Sequence, residues 1–210
     1  MSGYDAVFFD FDGVILESTG IKGSAFRALY QEHGSNVAEA AVAHHEAHCG
    51  ISRRKKIRHC HGRLLGITLS RKELDALARR FSRLVEDAVV ACEWVPGIEA
   101  LLERHCQRFA MFVVSRMPEC ELRRVVSRRG MADYFRSIRG APPDKVPIIR
   151  ALLYDYNLLP SRALFIGDSM SDCEAAHATG LHFIGRVTHG QRSPFPPGTR
   201  IVSDLTKLKL

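Results

Sequence analysis

The sequence predicts an α/β fold, a parallel sheet covered by helices and interrupted early by an all-helical insertion. Short apolar β-type runs alternate with helical ones from Trp94 onward, the pattern of strands joined by helical crossovers. Residues 18–91 show helical periodicity and almost no strand signal. Three of the apolar runs end directly in polar motifs, and in open α/β sheets ligands bind just outside the carboxyl ends of the strands.

The first strand is Ala6-Val7-Phe8-Phe9, and Asp10-Phe11-Asp12-Gly13 follows it directly. In the insertion, residues 71–90 give the clearest helix, with Leu74, Leu77, Ala78, Phe81, Leu84, Val85 and Ala88 at three-and-four spacing. Ser70 and Glu73 form a capping-box pattern at its start. Beyond Trp94, Pro96-Gly97 opens a helix to about His105, and residues 109–114 read as a strand ending at Ser115. A helix over residues 118–129 is ended by Gly130. A short strand near Ser137-Ile138-Arg139 leads into the loop Ala141-Pro142-Pro143-Asp144, and helix resumes over residues 146–156. Ala163-Leu164-Phe165-Ile166 is the next strand, followed by Gly167-Asp168-Ser169-Met170-Ser171-Asp172 and a helix over residues 171–179. The strand His182-Phe183-Ile184 precedes a Gly/Pro-rich tail. The expected division is a core of residues 1–17 and 92–210 with residues 18–91 inserted.

Bulk properties fit a soluble enzyme. A chain of 210 residues that is 46% hydrophobic can bury one core and carry an insertion of this size. No apolar run approaches the length of a membrane span. The N-terminus has no basic region, and Asp10 and Asp12 interrupt its apolar stretch, so it does not read as a signal peptide. Six scattered cysteines without a C-x-x-C pair imply reduced thiols and a cytoplasmic location. The formal charge of +7 comes from basic doublets spread over several helices, which read as solvated faces. Their summed field would attract an anionic substrate, whereas no nucleic-acid-binding motif accompanies them. His44, His45, His48, Cys49, His59, Cys60 and His61 crowd the insertion, but a second conventional ligand pair is lacking and zinc is not expected.

The polar motifs carry the chemistry. Asp10 and Asp12 are two apart on an extended chain, so both side chains leave one face. Two carboxylates at close range repel, and one ionises while its neighbour keeps a proton more readily, which suits a nucleophile beside a general acid. Asp168 and Asp172, four apart at a helix start, are expected to share a face. With Asp10 they make an oxygen-rich cluster that calls for a hard cation such as Mg²⁺. Lys145 is the single lysine between Lys72 and Lys207, and a compact ammonium can neutralise a carboxylate and a phosphoryl oxygen together. Ser115 offers a hydroxyl donor, and the backbone N–H groups after it could form an anion nest.

Taken in order, Asp10-x-Asp12-Gly13, Ser115, Lys145 and Gly167-Asp168-x-x-x-Asp172 resemble the four motifs of the haloacid dehalogenase superfamily. The chain looks closest to the phosphoglycolate phosphatase and β-phosphoglucomutase group. Glu17-Ser18 stands where such proteins often have Asp-Ser, and Val95-Pro96-Gly97 resembles their return from cap to core. The resemblance implies a Rossmann-like core with an α-helical cap and Mg²⁺ held by Asp10, Asp12 (through its carbonyl), Asp168 and Asp172. It further implies catalysis by Asp10 and Asp12, phosphate binding by Ser115, Arg116 and Lys145, and a small phosphorylated metabolite as partner. Gly50-Ile51-Ser52-Arg53 resembles a cap loop that meets substrate, so Gly50, Ser52, Arg53 and Lys22 are the expected substrate contacts.

The chain also departs from the family pattern. Lys145 is followed by Val146-Pro147 rather than directly by Pro, and Ser115 by Arg116 rather than the frequent Asn. Lys22 stands where sugar-phosphate mutases carry a His, which counts against a mutase. Asp12 counts against dehalogenases and phosphonatases, which lack the second aspartate. A phosphomonoesterase is the first reading, a phosphoryl-transferring mutase the second, and a non-catalytic binding module the third.

Overall fold

The structure, a computed structural model, describes residues 3–48 and 52–210. The chain divides into two compact units, Met1–Ser18 with Cys92–Leu210, and Thr19–Ala91. The first unit holds strands β1 (Ala6–Phe9), β2 (Ala110–Pro118), β3 (Ser137–Ala141), β4 (Ala163–Gly167), β5 (His182–Arg186) and β6 (Ile201–Val202). They form one sheet in the order β3-β2-β1-β4-β5-β6, and every neighbouring pair is parallel.

The order follows from the sequence of crossovers. The chain runs outward from β1 through β2 to β3, then returns to the other side of β1 with β4. Phe9 pairs with Val113 on one side and Ile166 on the other. The switch point thus lies between β1 and β4, where the loops leave in opposite directions and a crevice opens. Asp10 follows β1 and Asp168 follows β4, so both side chains are delivered to that crevice.

Burial on both faces explains the unbroken apolar runs. Ala6, Phe8, Phe112, Val114, Ala163 and Phe165 pack with Ile148, Ile149 and Leu152 of α7 (Lys145–Asp155) and Ala175 and Ala176 of α8 (Met170–Thr179). Phe8 and Phe112 stack with ring centroids 4.7 Å apart. The alternating set Val7, Phe9, Met111, Val113, Leu164 and Ile166 is equally inaccessible. Each such side chain stabilises the fold by about 1.5–3 kcal/mol relative to exposure.

Several elements differ from the sequence expectation. β2 continues past Val114 to Pro118, but its pairing with β3 shifts register between those residues. Ser115 therefore lies where regular pairing breaks, not at the strand's end. The Gly/Pro-rich tail contains β6, whose Ile201 pairs with Gly185. Two residues are too few for alternation to show in sequence. Helix α8 begins at Met170, so Asp168 precedes it and shares no helical face with Asp172.

The second unit is helical among its described residues: α1 (Ile21–Tyr30), α2 (Ser35–Ala47), α3 (Arg53–Leu64) and α4 (Arg71–Val90), with a 3-10 turn after α1. The Ser70–Glu73 capping box starts α4. Its buried stripe is Leu74, Ala78, Phe81, Val85 and Val89, while Ala88 is exposed. Phe81 meets Phe26 of α1 with ring centroids 4.6 Å apart. No described helix is long and apolar enough to cross a membrane.

The first unit is closed where the chain leaves and re-enters it. Glu17 N–H donates to Glu93 O at 3.0 Å, and Val95 N–H to Ile15 O at 3.0 Å. Gly97 follows with φ +87, and a Cβ there would stand 2.3 Å from Thr206 N. Gly97→Ala combines left-handed strain with a backbone clash and is expected to cost about 2 kcal/mol or more. Chemical denaturation with the mutational change read from the midpoint checks it, and an unchanged midpoint would show that the tail gives way freely.

Candidate active site

The crevice is organised around Lys145. As the first residue of α7 it is only 6% exposed. A cation at a helix N-terminus meets the wrong end of the helix dipole, so this one requires carboxylates close by. Its Nζ donates to Asp10 Oδ1 at 2.7 Å and to Asp172 Oδ1. Pro147 falls in the first turn, where a missing N–H is harmless, and with Val146 between them the ammonium of Lys145 still reaches both acids.

Asp172 is fully buried and its second oxygen is also held. Oδ2 accepts from Ser169 N–H at 3.0 Å and from Ser169 Oγ at 2.6 Å, closing the capping box of α8. Gly167 makes room for it, since a Cβ at 167 would lie 2.3 Å from the Cβ of Asp172. Asp10 is fixed from the backbone as well, its N–H donating to Ile166 O at 2.9 Å. One carboxylate oxygen from each of Asp10, Asp168 and Asp172 lies within 4.8 Å of the other two. Among the described residues this is the one group of three or more potential ligands spaced to hold a metal ion.

One ammonium facing three carboxylates leaves the site acidic. Burial pushes Asp10 up to about 7, with Lys145 opposing and Asp172, Asp168 and Asp12 reinforcing. Burial, and then Asp172, pushes Asp168 up to about 6. For Lys145, burial works against the charge but Asp10 and Asp172 outweigh it, and its pKa rises. Close-set oxygen donors with uncompensated negative charge suit a hard divalent cation, so the residues present fit Mg²⁺.

Asp12 stands outside this group. Its Oδ1 accepts from Ser18 Oγ at 2.6 Å, and Ser18 is buried. Ser115 is buried too, but its Oγ accepts from Met117 N–H at 3.1 Å, so that N–H serves the serine rather than an open nest. Arg116 is exposed and is not among the groups these bonds join. Sequence reading passed over Arg186, which is 5% exposed and forms an ion pair with Glu17 beside the Asp12 turn. A lone arginine closing the apolar run before it was the available signal.

The expected substrate contacts from the helical unit, so far as they are described, lie on α1 and at the start of α3. Gly50 lies outside the described residues. Ser52 is the exposed N-cap residue of α3, and Lys22 is exposed on α1. Arg53 begins α3 rather than occupying a free loop; its guanidinium donates to Ser82 Oγ and lies 5.7 Å from the Phe81 ring centroid. In the histidine cluster, His44 stacks on His59 at 3.9 Å, and Lys56 Nζ meets His45 Nδ1 at 2.8 Å. Burial, then Lys56, pushes His45 down to about 4.

The geometry can be set beside known proteins. The chain is 26% identical to the phosphoglycolate phosphatase of Pseudomonas putida, over 99% of its own length and 83% of the relative's. A predicted phosphoglycolate phosphatase from Haemophilus somnus superposes with a TM-score of 0.73 at 19% identity, covering 98% of this chain and 96% of the other. A HAD-hydrolase from Bacillus subtilis, solved bound to magnesium, gives a TM-score of 0.73 at 17% identity, covering 96% and 95%. These two likenesses show a shared fold. The family profile described as haloacid dehalogenase-like hydrolase matches residues 7–186, spanning β1 to the end of β5 and with them every residue of the acidic cluster, and the chain belongs to that family.

Proposed function

We propose that the chain is a Mg²⁺-dependent phosphatase acting on a small phosphomonoester through an aspartyl-phosphate on Asp10. The observation that carries this reading is the cluster of buried Asp10 and Asp172 with half-buried Asp168 at the switch point of the sheet, where Lys145 pairs with the first two. Its relatives' names make 2-phosphoglycolate the first substrate to test.

Each residue has a role that its surroundings support. Lys145 holds Oδ1 of Asp10, which leaves the second oxygen to attack phosphorus. A bond forms from Asp10 to phosphorus while the bond to the ester oxygen breaks, dividing one hard displacement into two. Asp12, oriented by Ser18, gives its proton to the departing oxygen. Asp12 then takes a proton from water, whose oxygen displaces Asp10 and releases phosphate. Ser115 and Lys145 are assigned to the remaining phosphoryl oxygens. Asp10, Asp168 and the Asp12 carbonyl would hold Mg²⁺, with Asp172 supporting them, and the cation would offset the negative charge of substrate and site. The helical unit, Thr19–Ala91, is assigned the choice of leaving group.

The two aspartates should fail differently. Asp10→Asn is expected to abolish phosphate release, and Asp12→Asn to lower it by about 10²–10⁴-fold, the contribution of a general acid. Single-turnover measurements on purified variants check both. Wild-type turnover by Asp10→Asn would end the covalent reading.

A pH dependence also follows. As pH falls through about 7 and then about 6, protons occupy Asp10 and Asp168. Only the ionised carboxylates ligate, so protons compete with the cation and Mg²⁺ binding releases them. Calorimetry between about pH 8 and about pH 5.5 is expected to show affinity falling about tenfold or more. An affinity flat across that interval would place the cation elsewhere.

A further inference from the structure

Arg186 closes β5 with its side chain almost wholly out of water, and none of the steps above uses it. A buried guanidinium is costly unless its donors are met. Here they are met by two separate stretches of chain, at Ser203 and at the loop that holds Gly13 and Glu17. Nε donates to Ser203 O at 3.0 Å. Nη1 donates to Gly13 O at 3.3 Å and to Glu17 Oε2 at 3.0 Å, and Nη2 donates to Glu17 Oε1 at 2.5 Å.

The position of two of those partners is informative. Gly13, at φ 72, turns the chain immediately after Asp12, and its N–H donates to Leu16 O at 2.8 Å. Glu17 is followed by Ser18, whose hydroxyl returns to the Asp12 carboxyl. Residues 12–18 therefore form a closed loop with Asp12 at one end and Ser18 at the other. Arg186 grips it at the carbonyl just after Asp12 and at the carboxylate just before Ser18. A lysine has one nitrogen and cannot hold two such points in a fixed plane, as a guanidinium does.

We infer that Arg186 is a positioning residue: it fixes the loop that aims the Asp12 carboxyl at the leaving-group oxygen. The inference rests on the phosphatase reading, and it deepens that reading by naming what keeps the general acid in place. With the guanidinium removed, Glu17 loses both of its bonds to Arg186 and the Ser18–Asp12 contact loses its anchor. Asp10 itself is held by Lys145, a contact this change does not touch. The damage should then appear where proton donation matters.

Leaving-group dependence isolates that step. p-Nitrophenolate departs without a proton, whereas phenolate needs one far more, and kcat/KM reports the chemistry up to loss of the leaving group. For Arg186→Lys, and for Glu17→Gln in case the arginine variant does not fold, the ratio of kcat/KM on phenyl phosphate to that on p-nitrophenyl phosphate should fall about tenfold, a share of what a general acid supplies. Circular dichroism on the same samples confirms that they are folded. Equal losses on the two esters, or no loss, with an active wild type would overturn the role of Arg186 alone. A wild type that releases phosphate from neither these esters nor 2-phosphoglycolate would overturn the phosphatase reading, and this inference with it.

Discussion

The ammonium of Lys145 lies against two carboxylates from opposite ends of the chain, Asp10 after β1 and Asp172 in the first turn of α8. All three side chains are nearly or fully buried. Removing one partner from such a pair costs about 3–5 kcal/mol, because the other charges remain buried. The pair therefore constrains everything that holds it. The Asp144–Lys145 helix start must face the crevice, α8 must open at Ser169, and position 167 must lack a side chain.

That constraint also sets the electrostatics. Burial drives Asp10 and Asp168 toward their protonated forms, and one lysine does not reverse this. A site of this kind is unsatisfied alone: it holds close-set oxygen donors and excess negative charge, conditions that a hard cation relieves. The same cation would return Asp10 to the ionised state that a nucleophile requires. Structure and proposed chemistry thus share one cause, since the charges that make the cluster expensive to bury are those the proposed reaction would use.

Much of this was legible in the residues. Apolar runs ending in Asp10 and Asp168 marked β1 and β4, and the Ser70–Glu73 pattern marked the start of α4. Lys145 was singled out by its isolation among the lysines, whereas its contacts with both acids join residues far apart in sequence, and α7 begins at it, one residue earlier than the periodicity implied. Other features depend on tertiary contacts that leave no local trace. The register break that holds Ser115 inside β2 arises from pairing with β3, and β6 exists because β5 offers it an edge. Asp168 and Asp172 meet through the turn into α8 rather than by sharing a helical face. Arg186 looked like one more basic residue, because its partners Gly13 and Glu17 lie far away in sequence.

The central claim is that the clustered carboxylates serve covalent phosphoryl transfer through Asp10. Its most direct test is to quench Mg²⁺-supported turnover in acid, reduce any acyl phosphate with borohydride, and locate the modified residue by mass spectrometry. The account predicts modification at Asp10 that appears only with substrate. Active enzyme with Asp10 unmodified, or with the phosphoryl group on another residue, would contradict it.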